Sequence, residues 1–167
     1  MKKYSQLLLG FAVILVGLLG ISSQAHAVTH YVQSSTPTIF VHGWGSSSHA
    51  EEKMANAARD AGVTKTIVRA NVDRKGKVTF NHQIPANAVN PIVEVNLEDN
   101  KLSAYQDDYT QGYHHGGGYV KNVVLALEKQ HHYKQINLVG HSMGNLEIIN
   151  YINDNVNDKS LPQVAYL

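Results

Sequence analysis

A glycine-flanked serine, in the stretch Gly140-His141-Ser142-Met143-Gly144, constrains the fold of this chain more than any other feature. A short apolar run, residues 135–139, leads directly into it, and an amphipathic helix pattern follows. A serine in so tight a turn needs neighbours without bulk on both sides, so that the strand and the helix can approach each other. The pattern therefore predicts a strand, a sharp turn and a helix, with Ser142 pointing outward at the carboxyl end of a sheet.

Ser142 is accordingly a candidate nucleophile, with Gly140 and Gly144 as the small residues of a nucleophile elbow and His141 as a structural neighbour. The five-residue pattern alone is loose and also occurs by chance in ordinary turns. The apolar run before it, the helix signal after it and the order His-Ser-Met inside it favour the nucleophile.

A second informative stretch lies about a hundred residues earlier, where a buried-strand pattern, residues 37–41, ends in His42-Gly43-Trp44-Gly45. When a serine attacks an acyl carbon, two backbone N–H groups must face the developing negative charge. We expect one from Met143, the residue after the nucleophile, and one from Trp44 in this glycine-containing loop. The alternative interpretation of this stretch is an ordinary turn at the end of a strand.

A competing glycine-rich stretch, residues 115–118, has the composition of an esterase oxyanion loop. It follows a polar, tyrosine-rich segment, residues 105–113, instead of an apolar strand. We therefore interpret it as a mobile loop that leads into a helix, residues 119–132.

Four stretches carry a resemblance to a known family. They are residues 38–45, 75–80, 90–100 and 139–144. With them the chain resembles the α/β-hydrolase superfamily and, more narrowly, the secreted DUF915-type hydrolases of Gram-positive bacteria. The resemblance implies a serine hydrolase that acts on an ester or an amide without a cofactor. Its substrate, a small molecule or a lipid ester, is left open.

The resemblance also raises a difficulty. In the family's chain order the triad acid and the histidine both follow the serine, yet only 25 residues follow Ser142 and none of them is a histidine. Asp154 and Asp158 are expected at the far end of the next helix, and a histidine from before the elbow would require a non-standard order. We expect a chain truncated at its C-terminus, whose acid and base lie in sequence beyond it. The alternative is a catalytically inactive relative that acts at most as a surface binding module.

The N-terminus predicts export. Two lysines at positions 2 and 3, an apolar core at residues 7–21 and the small-x-small sequence Ala25-His26-Ala27 form a secretory signal peptide, residues 1–27, cleaved after Ala27. A membrane anchor is the alternative, but 15 apolar residues fall short of the roughly 20 that a span requires. We expect a secreted or cell-surface protein, residues 28–167, with no stable membrane insertion.

Composition narrows the classes of partner. Of the 14 basic and 13 acidic residues, cleavage would remove two lysines, which leaves 12 against 13 and favours neither nucleic acid nor anionic membranes. The absence of cysteine excludes disulfides. The adjacent pairs His114-His115 and His131-His132 do not have the spacing that places two imidazoles on one helix face, so no metal site is expected.

The periodicities predict an α/β-hydrolase-like fold, a mostly parallel sheet with helices on both faces that is incomplete at its C-terminus. The strands are expected at 38–41, 65–71, 77–84, 91–97, 135–139 and 164–167, and the helices at 49–61, 119–132 and 143–153. A turn at residues 73–76 is expected to join a hairpin at the edge of the sheet, and serines 46–48 are expected to cap the first helix.

Overall fold

One mixed sheet organises the computed structural model of the chain, which describes residues 31–167. The predicted signal peptide lies outside the described residues. The strands are β1 (Thr38–Val41), β2 (Ile67–Val72), β3 (Val78–Phe80), β4 (Ile92–Leu97), β5 (Gln135–Gly140) and β6 (Gln163–Tyr166). The helices are α1 (Glu52–Asp60), α2 (Tyr109–Glu128) and α3 (Met143–Asp154), with short 3-10 turns at Ser48–Ala50 and Ser103–Tyr105.

The strands are ordered β3-β2-β4-β1-β5-β6 across the sheet. Strands β2, β4, β1, β5 and β6 run parallel, and only β3 is antiparallel, paired with β2 as a hairpin. β1 lies between β4 and β5, which brings the loop after β1 beside the turn after β5 at the carboxyl edge of the sheet. The predicted parallel α/β fold and its edge hairpin are confirmed.

Alternating strand residues separate two apolar layers. Ile39 and Val41 of β1 belong to the main core, together with Val120 and Val124 of α2 and residues of α3. Phe40 of β1 faces the other way, into a smaller cluster with Ala55 of α1 and Ile92. Because successive strand side chains point to opposite faces, helices cover both sides of the sheet.

The predicted loop at residues 115–118 is wrong, since these residues lie inside α2, which begins ten residues earlier than expected. A Cβ added to Gly116 would lie 2.6 Å from the Glu147 carboxyl, and one added to Gly117 would lie 2.8 Å from the Tyr151 backbone nitrogen. These two glycines therefore let α2 pack closely against α3. Glycine lowers helix propensity, but the close packing outweighs that cost.

The first predicted helix is also divided. A 3-10 turn, Ser48–Ala50, precedes α1, and Glu51 lies between them. The expected serine cap is wrong, because Ser47 makes no capping hydrogen bond with its side chain. Ser48 is instead buried, and its amide donates to Asn96 Oδ1 at 3.3 Å.

Candidate active site

The turn between β5 and α3 presents Ser142 outward. Ser142 has φ 53° and ψ −118°, a region that L-residues rarely occupy, and its side chain is exposed. A Cβ on Gly144 would collide with the Val41 carbonyl oxygen, and one on Gly140 would lie 2.7 Å from the Asn145 backbone nitrogen. Both flanking positions therefore require glycine if strand, turn and helix are to pack this closely.

The loop after β1 lies directly against this turn. A Cβ added to Gly43 would lie 3.0 Å from Ser142 Cβ and 3.2 Å from the His141 carbonyl oxygen. Gly45 has a φ of +64°, and its amide donates to the Asn100 carbonyl at 2.7 Å. The structure thus brings the two predicted stretches together, with the loop fixed from behind by the segment that follows β4.

Two backbone amides, one in the loop after β1 and one at the start of α3, are free to donate. Within residues 31–167, neither the Trp44 N–H nor the Met143 N–H has a hydrogen-bond acceptor. Met143 is the first residue of α3, where N–H groups have no intrahelical partner and the helix dipole favours negative charge. The arrangement supplies the kind of donors that an oxyanion needs.

His42 holds the loop in place. Its side chain is completely buried, and Nε2 accepts a hydrogen bond from the Leu97 amide at 3.1 Å. The proton is therefore on Nδ1, which donates to the Gly43 carbonyl at 2.9 Å. Burial lowers the pKa of His42, so the neutral ring persists. Its contacts give it a structural role between β4 and the loop.

Trp44 is exposed and stacks beneath a cation. Its side chain is 52% exposed, and Lys101 Nζ lies 5.2 Å from the ring centroid. Only the backbone N–H of Trp44 is expected to bind an oxyanion, and about half of its side chain remains accessible to solvent.

An acid that sequence reasoning missed lies beside the elbow. Glu51 Oε1 is 3.6 Å from His141 Nδ1, and the Glu51 carboxyl is buried while the imidazole is largely exposed. Burial raises the pKa of Glu51, and the neighbouring His141 opposes that rise. Nothing in the local sequence distinguishes Glu51 from the surface acid Glu52 that follows it, so no signal could have identified this contact.

The histidines at positions 114, 115, 131 and 132, which precede the elbow, contact other residues. Their partners are Asp154 for His114 at 2.8 Å, Tyr119 for His115 at 2.9 Å and the Ile84 carbonyl for His131 at 2.7 Å. The exposed His132 lies 3.8 Å from Glu128. In the part of the chain that the structure describes, the Ser142 hydroxyl has no hydrogen-bond partner, and thus no base in contact.

Two further features bear on the class of site. No cluster of three or more histidine or acidic side chains among residues 31–167 is arranged to hold a metal ion. None of the helices in this same range has both the length and the apolar character of a membrane span.

Comparison with known proteins identifies relatives. A family model described as "Alpha/beta hydrolase of unknown function (DUF915)" matches residues 25–167. The product of the Listeria innocua gene lin2722, whose crystal structure is known, is 26% identical in sequence to this chain. The two structures match with a TM-score of 0.66, over 78% of this chain and 49% of that one. A protein of Lactobacillus plantarum WCFS1, described as a candidate cell surface hydrolase, shares the fold at 19% identity and a TM-score of 0.57, over 72% and 48% of the two chains.

The chain therefore spans about half the length of the solved structures that it matches. Among curated proteins, no sequence is significantly similar to it.

Proposed function

The chain belongs to the DUF915 family of alpha/beta hydrolases, and from that premise we propose that it is the nucleophile-bearing part of a secreted serine hydrolase. The reaction is acyl transfer from an ester or an amide to water. The substrate is a small molecule or a lipid ester, and no cofactor takes part.

In the proposed reaction, Ser142 Oγ loses its proton to a base and bonds to the acyl carbon, whose carbonyl oxygen takes up the negative charge. The Met143 and Trp44 amides donate to that oxygen. Collapse of the intermediate breaks the bond to the leaving alcohol or amine, which takes the proton from the base. Water then releases the acid from the acyl-enzyme by the same two steps.

One observation carries the proposal. Ser142 is exposed and held with φ at 53°, and Gly43 of the loop after β1 lies against it, while the amides of the adjoining residues Trp44 and Met143 have no acceptor within residues 31–167. A backbone region of this kind costs on the order of 1–3 kcal/mol and persists where the surrounding structure imposes it, often at catalytic positions.

The proposal assigns the triad acid and histidine to sequence outside these 167 residues. It is supported by the unpartnered Ser142 hydroxyl within residues 31–167 and by relatives that are about twice as long. The same hydroxyl supports a second candidate, a catalytically inactive relative that acts at most as a surface binding module. Reading the coding sequence that follows codon 167 separates the two, because only the first needs an in-frame Asp and His there.

Secretion is part of the proposal and has its own test. The Lactobacillus plantarum relative is described as a candidate cell surface hydrolase, which fits export of this chain. N-terminal sequencing of the exported product should begin at Val28, after cleavage behind Ala27. An exported product that retains residues 1–27 would contradict a cleaved signal peptide.

Ester hydrolysis tests the activity. We expect a hybrid, in which this chain is joined to the unmatched portion of the Listeria innocua protein, to hydrolyse p-nitrophenyl esters with an acyl-enzyme burst. Ser142→Ala in the same hybrid should lower kcat by roughly 10⁴-fold or more, as removal of a serine nucleophile does in known triads. A folded hybrid whose rate is unchanged by this substitution would contradict Ser142 as the nucleophile.

A further inference from the structure

A groove separates the β2–β3 hairpin from the second half of α2, away from the proposed active site. Its volume is about 600 Å³. The edge strand β3 is four strands from β5, which ends at the Ser142 turn, so the two strands are roughly 19 Å apart at the usual strand spacing. The groove is lined by hairpin residues Lys75, Gly76, Lys77, Val78 and Phe80. They belong to a stretch that carries the family resemblance and have no role in the hydrolase chemistry proposed above.

All the charged residues that line the groove are positive. Lys75, Lys77 and Lys129 line it, and no aspartate or glutamate does. All three lysines are exposed, and within residues 31–167 none of them forms an ion pair. A chain whose basic and acidic residues nearly balance therefore concentrates three unpaired cations at one concave surface.

Other residues that line the groove add a hydrogen-bond donor and apolar surface. Gln130 accepts a hydrogen bond from the Ile84 amide, but its Nε2 is buried with no acceptor among the described residues. Val78, Phe80 and the 39% exposed Leu125 supply the apolar lining. A ligand that fits both parts has an anionic head and an apolar body.

The hairpin turn that carries two of the lysines is held rigidly on α2. Asn122 Nδ2 donates to the Gly76 carbonyl at 3.0 Å, and the Tyr119 hydroxyl donates to the Arg74 carbonyl at 3.1 Å. Within the turn, Asp73 Oδ1 accepts from the amides of residues 75 and 77, each at 2.9 Å. Gly76 has a φ of +80°, and a Cβ there would lie 2.5 Å from Asn122 Nδ2. The cations are therefore presented by a preorganised turn, which reduces the entropy cost of binding.

We propose that this groove binds an anionic amphiphile, with its phosphate or carboxylate head between Lys75, Lys77 and Lys129 and its apolar body along Val78 and Leu125. Lysine binds phosphate as a point charge, and the apolar lining removes the ligand's chain from water. The site is independent of Ser142, so the failure of either proposal leaves the other intact.

Lysine footprinting of the full 167-residue chain tests the site, with dodecyl phosphate as the probe below its micellar concentration. We expect mass spectrometry to show protection of Lys75, Lys77 and Lys129 from acetylation, while the exposed Lys53 and Lys65 react as before. Dodecyl maltoside, which has the same chain and no charge, should give no protection. Inorganic phosphate should protect weakly and lose its effect at high salt, because screening weakens exposed ion pairs.

Substitution supplies the matched control. Replacing Lys75, Lys77 and Lys129 together by glutamine should weaken dodecyl phosphate binding by roughly tenfold or more, whereas the same change at Lys53, Lys65 and Lys134 should leave it within about twofold. Equal losses in the two triple variants would mean attraction to net charge only and would overturn the proposal. So would equal protection by dodecyl maltoside, or no protection of the groove lysines by dodecyl phosphate.

Discussion

At the residue scale, the backbone conformation that exposes the Ser142 hydroxyl also lowers the stability of the turn. With φ at 53° and ψ at −118°, any residue with a Cβ is strained there, whereas glycine is not. The strain is imposed by close contacts on both sides, from Gly144 against Val41 and from Gly43 against Ser142 itself. The elbow is thus a position where the sequence keeps a serine that the fold alone would not favour.

That strain predicts a difference between two substitutions. Ser142→Gly should have a free energy of unfolding about 1 kcal/mol higher than Ser142→Ala, because glycine relieves the strain and loses only part of that gain to the entropy of its unfolded chain. Urea denaturation of both variants measures the difference. An alanine variant that is equally stable, or more stable, would show that the turn is unstrained.

A second unfavourable feature is an acidic residue, Glu147, buried one turn into α3. Glu147 is completely buried, and among the described residues neither of its carboxylate oxygens has a hydrogen-bond partner. Burial and the nearby Asp99 raise its pKa to about 8. In the unfolded chain this carboxyl has its ordinary pKa of about 4.5. Between these two pH values the folded state therefore holds a proton that the unfolded state has lost.

Stability should therefore fall as pH rises. The contribution of Glu147 is complete below about pH 4.5 and is lost by about pH 8. Each unit of pKa difference corresponds to about 1.4 kcal/mol in the free energy of unfolding. Glu147→Gln cannot ionise and should flatten this part of the profile, as measured by urea denaturation at a series of pH values. Parallel profiles for the two proteins would mean that Glu147 does not carry the proton.

At the element scale, α2 owes its position to two glycines in a run of three. A Cβ on Gly117 would meet the backbone of α3, whereas a Cβ on Gly118 would meet nothing within 4 Å. Neighbouring residues of one helix thus have opposite requirements, because only one of them faces the partner helix.

Alanine substitutions at these two neighbours should change the free energy of unfolding in opposite directions. Gly118→Ala should stabilise the protein by about 0.5–1 kcal/mol through helix propensity. Gly117→Ala should destabilise it by about 1–3 kcal/mol, since α3 must move to accommodate the methyl group. Thermal or urea unfolding of the two variants checks the pair. Stabilisation by both substitutions would contradict the close packing of α2 on α3.

The sequence predicted the elements whose signals are local. Strand β1 and the β5–turn–α3 unit follow from apolar runs that lead into glycine-containing turns, and the structure places them as expected, to within a residue for the β5 unit. The early start of α2 does not follow from the local sequence, because the role of the glycines at positions 116 and 117 depends on a contact with α3. The Glu51–His141 pair was missed for the same reason, since it joins residues 90 positions apart.

At the scale of the whole molecule, β6 is an edge strand. Among the described residues it pairs only with β5, and Val156, Tyr166 and Leu167 near it are 75%, 77% and 70% exposed. Unpaired backbone groups beside exposed apolar side chains promote association between chains. We therefore expect residues 28–167 to be poorly soluble because of this edge.

Self-association is accordingly expected to rise with protein concentration. Tyr166→Lys together with Leu167→Lys should reduce it, because lysine on an edge strand opposes pairing with another strand. Met54→Lys is the matched control, since Met54 is a similarly exposed apolar residue, 55% exposed, on α1. Sedimentation velocity measures the oligomers. Equal reduction by the control would show that added charge, not the β6 edge, governs association.

The central claim is that Ser142 is a catalytic nucleophile and that the base which activates it lies outside these 167 residues. Mass spectrometry of fluorophosphonate adducts tests it most directly, on the chain alone and on the hybrid with the unmatched portion of the Listeria innocua protein. We predict one adduct per hybrid, on Ser142, absent from Ser142→Ala and from the chain alone. Stoichiometric labelling of the chain alone, or a folded hybrid without an adduct on Ser142, would contradict the claim.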